Sequence, residues 1–221
     1  AHVLDIPIGL GDEDAIISLR LGEGTSHHGL IGGGTGGGKS TLLHTIIMSS
    51  MLHYSPDQLH LYMMDFKGGT EFKIYESERL PHIQLLALDA MQEFGESILQ
   101  NLVDEMERRS NAFKNAGGYT KVEDYVRGTG KPMPRILVIM DEFQILFDDS
   151  TNRKVAMRSA NHAKRIVTEG RAYGVHLLMA TQSTNIISTL TLDRGTIEQM
   201  RVRIGLKCGE DDARYLFSDR Y

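Results

Sequence analysis

The 221-residue chain has one cysteine, no tryptophan and five prolines. A single thiol, Cys208, excludes a disulfide scaffold and a cysteine-based zinc site, and it fits a reducing compartment. No apolar run approaches the roughly 20 residues that span a bilayer, and there is no signal peptide. The expectation is a cytoplasmic domain, with any membrane tether outside this chain. Repeats, low-complexity tracts and Pro/Ser-rich linkers are absent too. With 24 basic and 29 acidic residues the formal charge is −5, which excludes a histone-like polycation but leaves room for a local basic face. Apolar residues make up 41%, so a chain of this length can bury a sizeable core. Length favours one domain over residues 1–221. The start at Ala1 and the stop at Tyr221 suggest a piece of a longer protein.

What is present alternates. Residues 4–10 and 15–21 read as short strands joined by the turn-like Gly11-Asp12-Glu13-Asp14. Residues 59–64, 83–88, 136–140, 175–180 and 202–206 are continuous apolar runs that suit strands buried on both faces, and 29–31 is a shorter one. Helical spacing marks 40–54 by Leu43, Ile46, Ile47 and Met51. The same spacing marks 91–115 by Phe94, Ile98, Leu102 and Met106. A third helix covers 152–169 and stops at Gly170. Strands alternating with helices predict an α/β fold, a mostly parallel central sheet flanked by helices on both faces. The strand order is not legible.

Six of the seven residues from Gly32 to Gly38 are glycine, and Gly33 to Ser40 fits the phosphate-loop pattern G-x-x-x-x-G-K-S/T. Backbone N–H groups must wrap a phosphate closely, and glycine removes the side chain that would obstruct them. A helix beginning near Ser40 aims its N-terminal dipole at the same phosphates. Gly33, Gly34, Thr35, Gly36, Gly37, Gly38, Lys39, Ser40 and Thr41 are therefore the candidate nucleotide-binding residues. Lys39 is expected to bridge the β- and γ-phosphates, and the Ser40 hydroxyl to hold Mg²⁺. A strand before the loop and an amphipathic helix after it supply the context the pattern needs.

The strand 136–140 ends in Asp141-Glu142. Asp141 is the second candidate Mg²⁺ group, and Glu142 the candidate general base that orients attacking water. No N-K-x-D guanine-recognition motif is present, which favours ATP. Gln182, after the strand 175–180, is either a γ-phosphate sensor or ordinary turn chemistry. Arg171, after Gly170, is either a cation at a helix C-terminus or an arginine reaching a neighbouring subunit's nucleotide. His27-His28 has no third ligand at sensible spacing, so an exposed or capping role is expected. Cys208 and methionines such as Met63, Met64 and Met140 read as core filler.

Together these residues resemble the FtsK/SpoIIIE family of motor ATPases, within the HerA/FtsK group. The resemblance rests on the phosphate loop, Asp65-Phe66-Lys67, Leu80-Pro81-His82, Glu105 to Arg109, Asp141-Glu142-Phe143, Gly170 to Leu177 and Ala180-Thr181-Gln182. It implies a RecA-like P-loop fold, a hexameric ring and ATP-driven movement of double-stranded DNA. It also implies that Arg171 acts in trans and that Gln182 senses the γ-phosphate. Asp65-Phe66-Lys67-Gly68-Gly69, Ser55-Pro56 and the Gly118-Tyr119…Asp124-Tyr125 region look more like the EccC/EssC ATPases of type VII secretion, which move proteins. Ser183-Thr184 replaces the Arg-Pro that DNA translocases carry after the glutamine, and no winged-helix DNA-reading module is present.

Residues 151–174 hold Arg153, Lys154, Arg158, Lys164, Arg165 and Arg171 against Glu169 alone. In a ring, such a stretch can line a pore and accumulate phosphate contacts, or it is simply a solvated helix face. The primary expectation is a DNA-translocating ring, with Arg153, Lys154, Arg158, Lys164 and Arg165 as candidate DNA contacts. The alternatives are a protein-secretion motor and a non-translocating ATP-binding ring subunit.

Overall fold

A computed structural model describes residues 3–77, 79–183 and 190–217. The expected contrast at Thr184 lies outside them. Each apolar run forms a strand: β1 (Leu4–Leu10), β2 (Ile16–Leu21), β3 (Gly29–Gly32), β4 (Leu59–Asp65), β5 (Ile83–Ala87), β6 (Arg135–Asp141), β7 (Val175–Thr181) and β8 (Val202–Gly205). The main helices are α1 (Lys39–His53), α2 (Gln92–Asn115) and α5 (Asp149–Tyr173). Four short helices, α3 (Val122–Thr129), α4 (Gln144–Phe147), α6 (Arg194–Gln199) and α7 (Glu210–Phe217), fill the connections.

Six strands form one parallel sheet in the order β5-β4-β6-β7-β3-β8. Alternate side chains point to opposite faces, so each apolar run divides between two cores. Leu30, Ile136, Val138, Met140, Leu177 and Met179 meet α2 and α5 on one face. Ile31, Met63, Leu137, Ile139, Leu178 and Ala180 meet α1 on the other. That second face is completed by the antiparallel hairpin β1–β2, whose Leu4, Ile6, Leu19 and Leu21 are buried. A fully buried leucine or isoleucine contributes roughly 2 kcal/mol, so each face is a substantial stabilising layer.

Several local expectations change. Phe94 is exposed, because the buried stripe of α2 runs through Ile98, Leu99, Leu102, Val103, Met106 and Phe113. Gly170 does not stop its helix; α5 continues to Tyr173 and ends at Gly174, in the left-handed region with φ +71. Gly170 is needed for close approach instead, since a Cβ there would lie 2.7 Å from the Val175 carbonyl oxygen. Met63, Met64 and Met140 are core, but Cys208 is only half-buried. The motif arginine Arg109 proves structural. It is buried, and it donates to Glu105 Oε1 at 2.7 Å and to the Tyr173 carbonyl at 2.7 Å, tying α2 to the end of α5. Among the described residues no helix is long and apolar enough to cross a membrane.

His28 is buried, not exposed, and its Nδ1 accepts from the Leu177 amide at 3.0 Å. Burial, and then the neighbouring His27, pushes its pKa down to about 3 from 6.5. Between those values the unfolded chain alone binds the proton, so stability is full above about pH 6.5 and falls as pH drops toward 3. We expect the urea midpoint to decrease from pH 7 to pH 5, this one group adding a slope of up to about 1.4 kcal/mol per pH unit. His28→Asn, whose Oδ1 can still accept from Leu177, should flatten that slope; an unchanged slope would refute the assignment.

Candidate active site

Parallel pairing in register sets four strand ends side by side. Asp65 lies opposite Asp141, Asp141 opposite Ala180, and Thr181 opposite Gly32. The phosphate loop leaves β3 at this edge, and the Asp141-Glu142 pair leaves β6. Strand β7 lies between them and carries Gln182 into the gap.

The loop is braced by its own backbone. The Gly33 amide donates to the Thr181 carbonyl at 3.2 Å, Gly34 to Lys207 at 2.9 Å, and Gly37 to Gly34 at 2.8 Å. A Cβ on Gly37 would meet the Gly34 and Lys207 carbonyl oxygens at 2.8 and 3.0 Å, and Gly38 turns into α1 with φ +95. Among the described residues, the amides of Thr35, Gly36, Gly38, Lys39, Ser40 and Thr41 donate to no other group of the chain. Six N–H donors are thus left open at and just before a helix N-terminus, a donor set that fits a polyphosphate.

Lys39 is buried at the base of this cradle. Its Nζ donates to Asp141 Oδ1 and, at 2.9 Å, to Glu142 Oε1. Burial disfavours the ammonium, but the two carboxylates outweigh it and hold the pKa above the ordinary lysine value. Burial pushes Asp141 up, against the pull of Lys39. Glu142 goes the other way. Its burial is outweighed by hydrogen bonds from Gln144 Nε2 at 2.6 Å and from Lys39, with a weaker contribution from the Gln182 amide at 3.4 Å. It stays ionised, which the expected base role requires. Its backbone has φ +52, a strained value for a side-chain-bearing residue. Gln182 Oε1 accepts from the Thr35 hydroxyl at 3.3 Å while its backbone N–H reaches Glu142 Oε2, so the residue touches both the loop and the acidic pair.

The structure therefore gathers Lys39, Ser40, Asp141, Glu142 and Gln182. It does not bring Arg171 to them. That side chain is exposed in the last turn of α5, where β7 begins. The seven residues of β7 put it roughly 20 Å from the cradle. Three of the five candidate DNA contacts pair with acids: Arg158 with Glu96 at 3.2 Å, Lys164 with Asp193 at 3.0 Å, and Arg165 with Glu107 at 2.8 Å. The expected positive face is thereby largely neutralised, because α2 and the start of α6 supply carboxylates that the local sequence does not show.

Sequence reasoning gave no site role to Asp65, which it quoted only as a family motif, and missed Gln144, Glu71 and His44. Ser40 Oγ donates to Glu71 Oε2 at 2.6 Å, and His44 Nε2 lies 3.1 Å from Glu71 Oε1. Asp65 ends an apolar strand just as Asp141 does, a signal that was available. Glu71 stands six residues beyond its strand and had none.

The model of the FtsK/SpoIIIE family matches residues 3–185. The chain belongs to that family. Among curated relatives, the ESX secretion system protein EccC of Thermomonospora curvata is 31% identical over 215 residues, and YukB of Bacillus subtilis is 31% identical over 214. Each alignment covers 92% of this chain, but only 15% and 13% of those much longer proteins. Among solved structures, the cytoplasmic domain of the T. curvata type VII secretion ATPase EccC superposes with a TM-score of 0.78 and 29% identity, over 96% of this chain and 25% of that one. The P-loop ATPase fold of the family is the fold described above, and the family as a whole uses ATP with Mg²⁺.

Removing Lys39 should be costly even without ligand. Lys39→Ala leaves two carboxylates buried side by side, each under a tenth exposed. We expect a loss of roughly 3 kcal/mol in chemical denaturation at pH 7, partly restored by adding Asp141→Asn. An unchanged midpoint would show that the three charges do not depend on one another.

Proposed function

We propose that this chain is an ATP-hydrolysing unit of a ring motor whose cargo is protein, after the manner of the type VII secretion ATPases. The observation that carries the hydrolytic part is the contact of Lys39 with both Asp141 and Glu142 beneath the glycine cradle. In this reading Lys39 leaves the carboxylates for the phosphates when ATP binds. The open amides of Thr35, Gly36, Gly38, Lys39, Ser40 and Thr41 donate to the phosphate oxygens. Ser40 and Asp141 would hold Mg²⁺, which would supply neutralisation of charge on the phosphates. Freed of Lys39, Glu142 is oriented by Gln144 and takes a proton from water. Gln182 links Thr35 to the Glu142 strand and so reports the state of the loop.

Arg171 is exposed at the end of β7 remote from its own cradle, which supports a shared site: in a ring, the arginine of one subunit offsets charge at its neighbour's nucleotide. A hexamer is the assembly proposed. Protein cargo is supported by secretion relatives that align across nearly the whole chain, and by the acids that neutralise Arg158, Lys164 and Arg165. A second reading, translocation of double-stranded DNA, is favoured by Arg153 and Lys154, exposed cations that pair with no acid among the described residues. Intact Lys39, Ser40, Asp141 and Glu142 argue against a subunit that only binds ATP.

Two variants separate the roles. Glu142→Gln should bind ATP normally and hydrolyse it at least about 100-fold more slowly. Arg171→Ala should also bind ATP normally, yet lose about 1000-fold in turnover, with partial recovery when mixed with Lys39→Ala subunits. Wild-type turnover in Glu142→Gln would remove the base assignment, and no recovery on mixing would count against a shared site. Cargo is tested by steady-state ATPase with and without additives. A secreted helical peptide should stimulate and duplex DNA should not; stimulation by DNA that falls steeply with salt would reverse the conclusion.

A further inference from the structure

Six residues beyond β4, Glu71 reaches back to the phosphate loop and makes two side-chain contacts there. One carboxylate oxygen accepts the Ser40 hydroxyl at 2.6 Å, and the other lies 3.1 Å from His44 Nε2. Ser40 and His44 are four residues apart and so share one face of α1. The backbone of Glu71 is fixed independently. Its amide donates to Asp65 Oδ2 at 3.1 Å, while Asp65 Oδ1 accepts from the Lys67 amide at 2.8 Å. Asp65 is buried at the end of β4, in register with Asp141, so the loop that bears Glu71 is anchored to the sheet edge that bears the acidic pair.

The hydrogen positions follow from the network. Tyr75 is buried, and burial, followed by the charge of Glu71, pushes its hydroxyl up to about 12. Its hydroxyl lies 2.8 Å from His44 Nδ1 and can donate there. In that arrangement the Nε2–H tautomer of His44 directs its hydrogen at Glu71 Oε1, 3.1 Å away. One oxygen of Glu71 is therefore occupied by His44, and the other is held for Ser40.

We propose that Glu71 is a positioning residue for magnesium at the phosphate loop, holding the Ser40 hydroxyl so that its oxygen lone pairs, and not its hydrogen, are presented to the ion. The proposal rests on the reading of the cradle as a Mg²⁺–ATP site. A serine hydroxyl has one hydrogen and two lone pairs, and left alone its rotor is free. Giving the hydrogen to a carboxylate fixes the rotor and makes the oxygen a better ligand, as outer-layer partners of metal ligands do elsewhere. Glu71 touches neither phosphate nor reacting water in this account; it acts through Ser40. The same account gives Asp65, His44 and Tyr75 a common task, because Asp65 and His44 each constrain one part of Glu71 and Tyr75 holds His44.

The test is ATP binding, read by calorimetry, as magnesium chloride is titrated into the protein with ATP, and again in EDTA. Glu71→Ala should raise the Mg²⁺ half-saturation about 10- to 100-fold while leaving ATP affinity in EDTA within twofold of wild type. Glu71→Gln, which can still accept the hydroxyl through its amide oxygen, should fall between the two. In a Ser40→Ala background, adding Glu71→Ala should produce no further shift. A half-saturation within twofold of wild type in both Glu71 variants overturns the proposal. So does a shift that persists in full when Ser40 is already alanine, or a loss of ATP affinity in EDTA as large as that with Mg²⁺. If the wild-type chain bound no ATP with or without Mg²⁺, the nucleotide reading itself would fall; wild-type binding with Mg²⁺-insensitive variants would remove only the role of Glu71.

Discussion

A buried ammonium cannot stand alone, and the cation of Lys39 is held between the carboxylates of Asp141 and Glu142. Much of the architecture serves that contact. Lys39 comes from the first turn of α1, and the acids from the end of β6, with β7 between the two strands. Only a sheet with its strands in register brings these ends together. In the proposed function the cluster exchanges partners. A ligand that offers phosphate oxygens can take the lysine, and the carboxylates are then left facing the ligand. The positive φ of Glu142 fits this picture, since backbone strain persists where surrounding contacts over-determine it and where chemistry needs a side chain aimed unusually.

The platform behind the site is stiff for identifiable reasons. Every central strand is buried on both faces, and each face is closed differently, one by α2 and α5 and the other by α1 with the β1–β2 hairpin. Arg109 fastens α2 to the end of α5, close to where Arg171 stands. A movement of α5 relative to α2 would have to break that buried contact. Arg171 is thus presented from a braced element, which suits the trans role proposed for it.

Charge bears on the proposed cargo. Counted along the chain, α5 looks basic. Counted in space, Glu96 and Glu107 of α2 and Asp193 ahead of α6 face three of its cations, and the surplus shrinks to Arg153, Lys154 and Arg171. A motor that tracks duplex phosphates draws its affinity from unpaired lysine and arginine. A motor that grips a folded or helical protein does not need them. The secretion relatives point the same way, though the chain covers only a small part of their length.

The amino-acid sequence by itself determined the alternation of strands and helices, the phosphate loop, the Asp141-Glu142 pair and the family. These are local: an apolar run of strand length, a glycine cluster before a lysine, or two acids after a buried strand can each be read within a dozen residues. Only the tertiary structure decided the strand order, the burial of His28, the continuation of α5 through Gly170, the pairing of its cations and the contact of Glu71 with Ser40. Each of those depends on groups far apart in the chain, whose meeting is set by parallel register and by which face of a helix packs inward. A carboxylate in a loop carries no mark of the hydroxyl it will meet 31 residues away.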